Sequence, residues 1–497
     1  MSFPSPRSFR MTCVVEEIPQ VEDLLRAQGF VFETDPFYAP ARRLLRAPLP
    51  LGAGLAAFFG CIYIQDRSSM LPPLALEPAA GENILDICAS PGGKTSMLAR
   101  MGGDCFVLGN EPAPKRLTVL RANLHAQNLL NCATVSCPGE DFPLPGVSFA
   151  GWDAILLDPP CSGWGTVEKN PGVRKLWRGD KIKTLTGLQR RLLARAARLL
   201  RPGGRLVYST CTGNGAENEE QIRYACEELG LEFTPLSSTP PFFALEEAYL
   251  PQYTGVWRIR TGGACAGDFG GQGFFVAVLR KPWDCRTSGK GSAGTRAPGT
   301  EDRPGRESGG NNFPEPVPER FNFENARYGN LSANPCRGTV AKRTCLAVKR
   351  QFQSENVLGR EVLAGPYLDP SLLPDGDVTA FGNQVYFLPG TLRTAPELAV
   401  RPYCRRGFLL GSAGMDGRIR TNPRLRALMP TRAALAASGT PFLSVDEVGP
   451  LLDLLEGRGL GVKVKMKEIG LYFRDLPLCR LSVKGGRAVL PPLGKTG

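Results

Sequence analysis

Three short segments of the 497-residue chain carry side chains whose types and spacing suit chemistry. They are ILDICASPGGKT (residues 84–95), DAILLDPPCSGWGT (153–166) and GGRLVYSTCT (203–212). In each, an apolar run that predicts a buried strand gives way to glycines, prolines, polar residues or a cysteine. Ligands of open α/β sheets bind at the carboxyl ends of the strands, so the three segment ends are expected to line one crevice.

The first segment has the features of a pocket for a nucleotide-type ligand. Its turn, Pro91-Gly92-Gly93, opens a predicted helix, whose free N–H groups favour a carboxylate or phosphate. The spacing matches neither the phosphate loop GxxxxGK[ST] nor the GxGxxG fingerprint. Glu111 follows Cys88 by 23 positions, the interval at which an acid binds the ribose hydroxyls of an adenosyl ligand. Without Glu111, ordinary loop geometry would explain the glycines equally well.

The second and third segments each end in a cysteine. Pro159 and Pro160 form a stiff, non-helical turn after Asp158, of a kind that grips a flat nitrogen heterocycle. A buried cysteine at a strand end more often serves packing than chemistry, and Cys161 or Cys211 alone invites that interpretation. Two cysteines at the ends of neighbouring strands, beside an acid, favour thiol chemistry on a shared ligand.

A mostly parallel sheet covered by helices is the architecture expected to position these residues, because short apolar runs alternate with amphipathic ones. The strongest helix prediction covers residues 188–200, where leucines form one face and arginines the other. Strands are predicted at residues 84–88, 105–109, 133–135, 153–157, 205–209 and 273–280.

Composition excludes several classes of protein. The only histidine, His125, makes a histidine-rich metal site or a Ser-His-Asp hydrolase untenable. Fifteen cysteines without a CxxC pair argue against a zinc ribbon and for reduced thiols, hence a cytoplasmic location. The most apolar stretch, residues 51–64, is too short to span a membrane, and the amino terminus lacks an apolar signal core. A net charge of +13 favours polyanionic partners.

In these motifs the sequence resembles the Sun and nucleolar-protein family of RNA cytosine-C5 methyltransferases, which use S-adenosyl-L-methionine. The resemblance rests on CASPGGKT (88–95), on Glu111 with Arg116, and on DPPCSG (158–163). STCT (209–212), ENEE (217–220) and YIQDRSSMLP (63–72) extend it. It implies an α/β, Rossmann-like class I methyltransferase fold with a mostly parallel seven-stranded sheet.

The resemblance also implies roles for individual residues. In the family, the cysteine of the TC motif is the nucleophile, here Cys211, and the cysteine of PCSG assists product release, here Cys161. Asp158 and Lys94 would lie near the target base. The methyl donor would contact a larger set, namely Cys88, Ala89, Ser90, Pro91, Gly92, Gly93, Lys94, Glu111, Arg116 and Asp158.

Two positions depart from the family pattern. Pro159 stands where the family usually has alanine or valine. Pro138 stands where an ungapped comparison places an acid after the third strand, so Asp141, or else Glu140, is expected to contact the adenine instead.

The resemblance continues toward the carboxyl terminus. Residues 470–491 are similar to the PUA-like RNA-binding end of bacterial members that modify small-subunit ribosomal RNA. The sequence of a generic small β-barrel would show a similar pattern. We therefore expect five regions, with an α+β part that ends in a PUA-like β-barrel. They are an RNA-binding lead-in (1–70), the methyltransferase domain (71–282), a flexible linker (283–316), a spacer domain (317–400) and the PUA-like domain (401–497).

Other functions stay open at this stage. Ribosomal RNA is the favoured substrate and transfer RNA is the alternative. An exocyclic-amino methyltransferase would use a DPP turn but would leave STCT unexplained, and a non-catalytic RNA-binding assembly factor would not need both cysteines. We expect a monomer that binds RNA, with neither a metal nor a membrane as partner.

Overall fold

The computed structural model describes residues 7–146, 149–166, 180–237, 243, 245–260, 272–283, 356–393, 407–414 and 418–491. The described residues of Met1–Pro282 and Thr339–Gly497 belong to one compact unit. Of the second unit, Trp283–Gly338, only Trp283 is described. The predicted linker therefore lies outside the described residues, apart from that tryptophan, and so does the first part of the predicted spacer.

The amino-terminal region forms a four-stranded antiparallel sheet with the order β2-β3-β1-β4. Two helices, α1 (Ile18–Ala27) and α2 (Leu55–Phe58), accompany it. Its strands are β1 (Ser8–Met11), β2 (Val31–Thr34), β3 (Ala41–Arg46) and β4 (Ile62–Ile64).

The central sheet has eight strands. Its strands are β5 (Asn83–Asp86), β6 (Phe106–Asn110), β7 (Cys132–Val135), β8 (Trp152–Leu157), β9 (Leu200–Thr210), β10 (Glu232–Thr234), β11 (Trp257–Ile259) and β12 (Phe274–Arg280).

Seven of these strands form one continuous path, β10-β12-β9-β8-β5-β6-β7. β5 to β9 pair in parallel, whereas β12 runs antiparallel to β9 and β10. The short β11 pairs with β12 beside β10 and is the eighth strand. The predicted mostly parallel Rossmann-like sheet is confirmed, and the added strand is a finding.

Helices cover both faces of the central sheet. Successive side chains of a strand point in opposite directions, so residues of β5 alternate between the two faces. Ile84 packs with the helices of one face, and Leu85 packs with a helix of the other. This burial on both faces explains the continuous apolar runs in the sequence. The helices are α3 (Leu71–Leu76), α4 (Gly93–Met101), α5 (Pro114–Ala126), α6 (Asp180–Leu199) and α7 (Glu219–Glu227).

Element positions follow the sequence prediction, with small differences at their ends. β5 ends at Asp86, and residues 87 and 88 already belong to the turn. β9 begins at Leu200 and includes the Arg-Pro-Gly-Gly stretch that was expected to precede it. The predicted helix at 188–200 corresponds to α6, which begins at Asp180.

Two further five-stranded sheets lie in the carboxyl-terminal part. The first is antiparallel and consists of β13 (Asn356–Leu358), β14 (Gly376–Phe381), β15 (Gln384–Pro389), β16 (Phe408–Ala413) and β17 (Ile419–Thr421). It extends across the predicted boundary between the spacer and the last domain.

The second sheet, ordered β18-β20-β21-β22-β19, is the region predicted to be PUA-like. Its described strands form an open mixed sheet, so the closed barrel stays a prediction. It contains β18 (Phe442–Val445), β19 (Leu460–Gly461), β20 (Glu468–Phe473), β21 (Leu476–Lys484) and β22 (Arg487–Val489), with helices α8 (Arg432–Ala437) and α9 (Gly449–Leu455).

The amino-terminal sheet and the last sheet share one hydrophobic core. Phe9 and Leu24 belong to the same buried cluster as Leu471 and Phe473. An ion pair links the same two regions, because the buried Arg426 Nη2 lies 2.9 Å from Oε2 of the half-buried Glu17. In the part of the chain that the structure describes, no helix is long and apolar enough to cross a membrane.

Candidate active site

The order of the central strands creates a crevice at the carboxyl ends of β5 and β8. From β5 the chain builds outward through β6 and β7 on one side, and β8 and β9 lie on the other. A ligand of an open α/β sheet binds where the strand order reverses in this way. The glycine-containing turn (87–92) follows β5 and the DPPC turn (158–161) follows β8, so both motifs meet at this crevice.

The glycine-containing turn packs closely against α5 and β4. Gly92 has φ 104°, a left-handed conformation that favours glycine, and a Cβ there would lie 3.0 Å from Leu120 Cδ1. A Cβ on Gly93 would lie 3.0 Å from Tyr63 Cε1. α4 begins at Gly93 and presents the free N–H groups of its first turn.

Glu111 and Arg116 connect the end of β6 to this turn. Glu111 is buried after β6, and its Oε1 accepts a hydrogen bond from Ala113 N at 3.0 Å. Arg116 Nη2 lies 3.2 Å from Glu111 Oε2 and also donates to Ser90 O at 2.9 Å. Ser90 Oγ donates in return to Arg116 O at 3.0 Å. These predicted donor-binding residues therefore form one connected group.

Asp86 is a second acid at this site, and the sequence reasoning missed it. It ends β5 and is almost fully buried, with Thr95 Oγ1 donating to its Oδ2 at 2.7 Å. Its Oδ1 is also buried, and the backbone N–H of Cys88 lies close enough to favour the ionised carboxylate. Burial raises the pKa of Asp86 to about 7, against the opposing effects of Thr95 and Lys94. An acid as the last residue of the first strand was the available signal.

Lys94, Asp158 and Ser209 form a polar relay between the two motifs. Lys94 Nζ donates to Asp158 Oδ2 at 2.7 Å, and Ser209 Oγ donates to Asp158 Oδ1 at 3.0 Å. Burial alone would lower the pKa of Lys94, but the carboxylates of Asp158 and Asp86 raise it overall, with a smaller contribution from Cys211. Lys94 therefore keeps its positive charge, and that charge interacts with Cys211.

The two predicted cysteines meet at the end of this relay. Their Sγ atoms lie 3.1 Å apart, within hydrogen-bond distance for sulfur, although Cys161 follows β8 and Cys211 follows β9. Cys161 is buried and Cys211 is half-buried. The hydrogen bond with Cys211, together with burial, raises the pKa of Cys161 well above its ordinary value. Cys161 thus holds its proton while Cys211 is beside it.

Glu217 holds the two cysteine loops in place and is fully buried. Its Oε2 accepts from Ser162 N at 2.8 Å and from Gln189 Nε2 at 3.2 Å, and Gln189 also donates to Pro160 O at 2.9 Å. Glu217 Oε1 accepts from Asn214 Nδ2 at 3.1 Å. One carboxylate therefore bonds to groups on either side of the thiol pair.

Neighbouring residues of the ENEE motif complete this support. Asn218 Nδ2 donates to Thr212 O at 2.9 Å, and Ser162 Oγ lies 2.9 Å from Thr212 Oγ1. Glu219 forms a 2.8 Å ion pair with Arg258, whose Nη2 donates to Gly213 O. The ENEE stretch was part of the family resemblance, and its contacts now give it a structural role.

Arg10 was also missed, because it lies far from the motifs in sequence. Its fully buried guanidinium donates to Gly93 O at 3.0 Å and to Gln65 Oε1 at 2.9 Å, and it also contacts the Ser96 hydroxyl. Burial lowers the pKa of Arg10 to about 10. The amino-terminal sheet thereby fixes the first turn of α4.

The other residues predicted to contact the methyl donor lie in the turn after β5 or in the segment after β7. Cys88 lies in the turn after β5, and burial raises its pKa well above the usual value. Ala89 N donates to Asn110 O at 2.9 Å, which ties the turn to β6. Glu140 is half-buried and Asp141 exposed on a short 3-10 turn, Gly139–Asp141. Contact of either acid with an adenine stays a prediction.

Comparison with known sequences identifies the family that this region matches. The sequence model of the family described as 16S rRNA methyltransferase RsmB/F matches residues 73–241, which include both cysteines, Lys94, Glu111 and Asp158. The resemblance noted from the sequence is confirmed over this part of the chain.

Two curated relatives illustrate the match. The ribosomal RNA small subunit methyltransferase F of Escherichia coli O9:H4 (strain HS) is 38% identical over 242 residues, which is 47% of each chain. The protein of the same name from Enterobacter sp. (strain 638) is 40% identical over 240 residues, again 47% of each. The chain thus spans about half the length of the curated relatives it matches.

A solved structure also aligns with the chain. A methyltransferase homolog protein from Pyrococcus horikoshii is 33% identical, with 56% of this chain and 87% of that chain covered and a TM-score of 0.47.

Proposed function

We propose that the protein is an S-adenosyl-L-methionine-dependent RNA cytosine-C5 methyltransferase that acts on 16S ribosomal RNA in the cytoplasm. The observation that carries the proposal is the 3.1 Å approach of the Cys161 and Cys211 sulfur atoms beside the Lys94–Asp158 pair. The family match over residues 73–241 and the names of the two relatives support the substrate class.

The residues around β5 fit the methyl donor. Glu111, buried after β6, suits the ribose hydroxyls. The buried carboxylate of Asp86 at the end of β5 suits a cationic amino group. Gly92 and Gly93 let the turn pack closely against Leu120 and Tyr63, and the free N–H groups at the start of α4 suit a carboxylate. Once bound there, the donor supplies an electrophilic methyl group on a sulfonium.

Cys211 is the proposed nucleophile because carbon 5 of cytosine cannot take a methyl group unaided. Its thiolate adds to carbon 6 and converts the ring into an enamine with a reactive carbon 5. A positive charge near a cysteine favours the thiolate, and Lys94 is the cation within reach. Addition places negative charge on the ring, and the protonated Lys94–Asp158 pair would supply a proton at ring nitrogen 3.

Cys161 is the proposed base for product release. After methylation, the proton on carbon 5 must leave before the Cys211–carbon 6 bond can break. The hydrogen bond with Cys211 is the largest cause of the raised pKa of Cys161. That cause disappears once the Cys211 sulfur is bonded to carbon 6, so Cys161 can release its proton to water. The resulting thiolate takes the proton from carbon 5, the double bond re-forms, and the carbon 6–sulfur bond breaks to return the Cys211 thiolate.

The carboxyl-terminal sheet is proposed to be the PUA-like part that binds RNA. Residues 418–491 contain thirteen Lys and Arg against six Asp and Glu. Lys463, Lys465 and Lys467, here called the lysine row, are exposed and alternate with apolar residues. The apolar residue before each lysine packs onto the core. Alternate residues of an extended chain face one side, so the row presents three charges together.

Bisulfite sequencing of total RNA from cells with and without the gene tests the proposal, because it reports the modified base and the molecule together. We expect one or more 16S ribosomal RNA cytosines to resist conversion only when the gene is present. A change confined to transfer RNA would contradict the substrate, and no change at any cytosine would contradict the reaction.

A further inference from the structure

A partly exposed tryptophan lies on the turn that follows the proposed release cysteine, and the proposed mechanism does not use it. Trp164 follows Cys161 by three positions, in a short 3-10 turn, Trp164–Thr166. Its exposed fraction is 37%, whereas Trp152 and Trp257 of the same domain are buried. Among the described residues, no aromatic ring stacks on the indole.

The backbone of this turn is attached directly to the loop of the proposed nucleophile. Gly165 N donates to Cys211 O at 3.0 Å, and Gly165 O accepts from Gly273 N at 3.1 Å. A Cβ on Gly165 would lie 2.2 Å from Gly273 O, so only glycine permits this close packing. The position of Trp164 is therefore fixed relative to Cys211.

Local bonds stiffen the turn further. Gly163 has φ 69°, and its carbonyl accepts from Thr166 N at 2.9 Å and from Thr166 Oγ1 at 2.7 Å. The rigid backbone fixes the point from which the indole extends before any ligand arrives. Such preorganisation lowers the entropic cost of forming a contact.

We propose that Trp164 is an RNA-binding residue whose indole stacks on a base next to the target cytosine. This inference rests on the proposed function. A cytosine that enters the thiol pocket must leave its stack at a cost of a few kcal/mol, and its neighbours lose a stacking partner. Tryptophan presents an aromatic face that accepts any base, as on other platforms for single-stranded nucleic acid. The stack at Trp164 replaces part of the lost stacking and holds the strand beside Cys211.

The test compares Trp164→Ala and Trp164→Phe with the unaltered full-length protein. The probes are short single-stranded oligocytidylate and a strand of equal length with abasic sugars, and binding is measured by fluorescence anisotropy. We expect Trp164→Ala to weaken binding of oligocytidylate about 5- to 150-fold, the range for loss of one stacked base. Trp164→Phe should retain most of the affinity. Binding of the abasic strand should be the same for all three proteins, because it has no bases to stack.

Trp283→Ala is the matched control. Trp283 is more exposed than Trp164, at 71%. In sequence it follows the end of β12 at which Arg280 pairs with Arg205. The other end of β12, where Phe275 pairs with Thr210, is the end next to Cys211. This control should bind oligocytidylate normally. Equal affinity of Trp164→Ala and the unaltered protein would overturn the inference, as would an equal loss with the abasic strand. A protein that binds oligocytidylate through Trp164 but methylates no RNA would instead refute the proposed function alone.

Discussion

The sulfur atoms of Cys161 and Cys211 lie 3.1 Å apart although 50 positions separate the two residues in the chain. The register of the sheet explains this proximity. β8 and β9 pair in parallel, with Leu157 opposite Tyr208, so the loops that follow them leave the same edge side by side. The buried carboxylate of Glu217 then bonds to the backbone of one loop and, through Asn214, to the other.

Replacing Cys161 by alanine should trap an adduct between the protein and RNA. Without the proposed base, Cys211 adds to the cytosine and methylation proceeds, but the carbon 5 proton is not removed. A denaturing gel of protein incubated with RNA and donor should show a slow-migrating band. Cys226→Ala, which changes a half-buried thiol on α7, is the control and should show none. Absence of the band in Cys161→Ala would count against the release role.

Replacing Glu217 by glutamine should slow methylation more than it weakens RNA binding. The amide keeps the size of the side chain but removes the negative charge of the carboxylate, whose Oε2 accepts hydrogen bonds from Ser162 N and Gln189 Nε2. We expect kcat to fall about tenfold or more, because a buried charge-assisted hydrogen bond contributes about 1.5–3 kcal/mol, while KM for RNA changes little.

The control for this variant is Glu220→Gln, on the same motif. Glu220 is more exposed and pairs with Arg223 on the surface, so its replacement should leave kcat unchanged. Equal rates for Glu217→Gln and the unaltered protein would show that the thiol loops do not depend on this carboxylate.

Asp86 should make the folded chain less stable as pH rises. Its pKa of about 7 in the folded state exceeds that of an unfolded aspartate, near 4. The folded state therefore binds the proton more tightly, and the free energy of unfolding falls between about pH 4 and pH 7. The difference corresponds to about 4 kcal/mol at most.

Asp86→Asn removes this contribution and provides the measurement. Denaturant unfolding at pH 5 and at pH 8 should show a smaller loss of stability on raising the pH for the variant than for the unaltered protein. Parallel losses in the two proteins would mean that Asp86 is already ionised at pH 5.

The lysine row should determine part of the salt dependence of RNA binding. Each phosphate neutralised on a single strand contributes about −0.7 to the slope of log K against log salt. The triple replacement of Lys463, Lys465 and Lys467 by glutamine should reduce that slope by about 2 and weaken binding most at low salt. Arg458→Gln is the control, because Asp453 and Glu456 already neutralise Arg458. An unchanged slope in the triple variant would place the RNA elsewhere.

Much of the central domain could be predicted from the sequence because its signals are local. Buried parallel strands produce continuous apolar runs, and the loops that follow them carry Gly92, Asp158, Cys161 and Cys211. Asp86 and the Glu217 contacts depend on burial, which a motif does not report.

Long-range contacts were the part that the sequence could not reveal. Arg10 bonds to Gly93 across 83 positions, and Arg426 pairs with Glu17 across 409 positions. Such pairs form only when separate regions pack together, and no periodicity within either region indicates them. For the same reason, the core shared by the amino-terminal and last sheets was not foreseen.

Mass spectrometry of protein trapped on RNA containing 5-fluorocytosine tests the central claim most directly. Fluorine at carbon 5 cannot leave as a proton does, so the reaction stops at the covalent intermediate. We predict that the cross-linked peptide contains Cys211 joined to the methylated base, and that Cys211→Ala yields neither adduct nor methylated RNA. A cross-link at Cys161, or full methylation of cytosine by Cys211→Ala, would contradict the account.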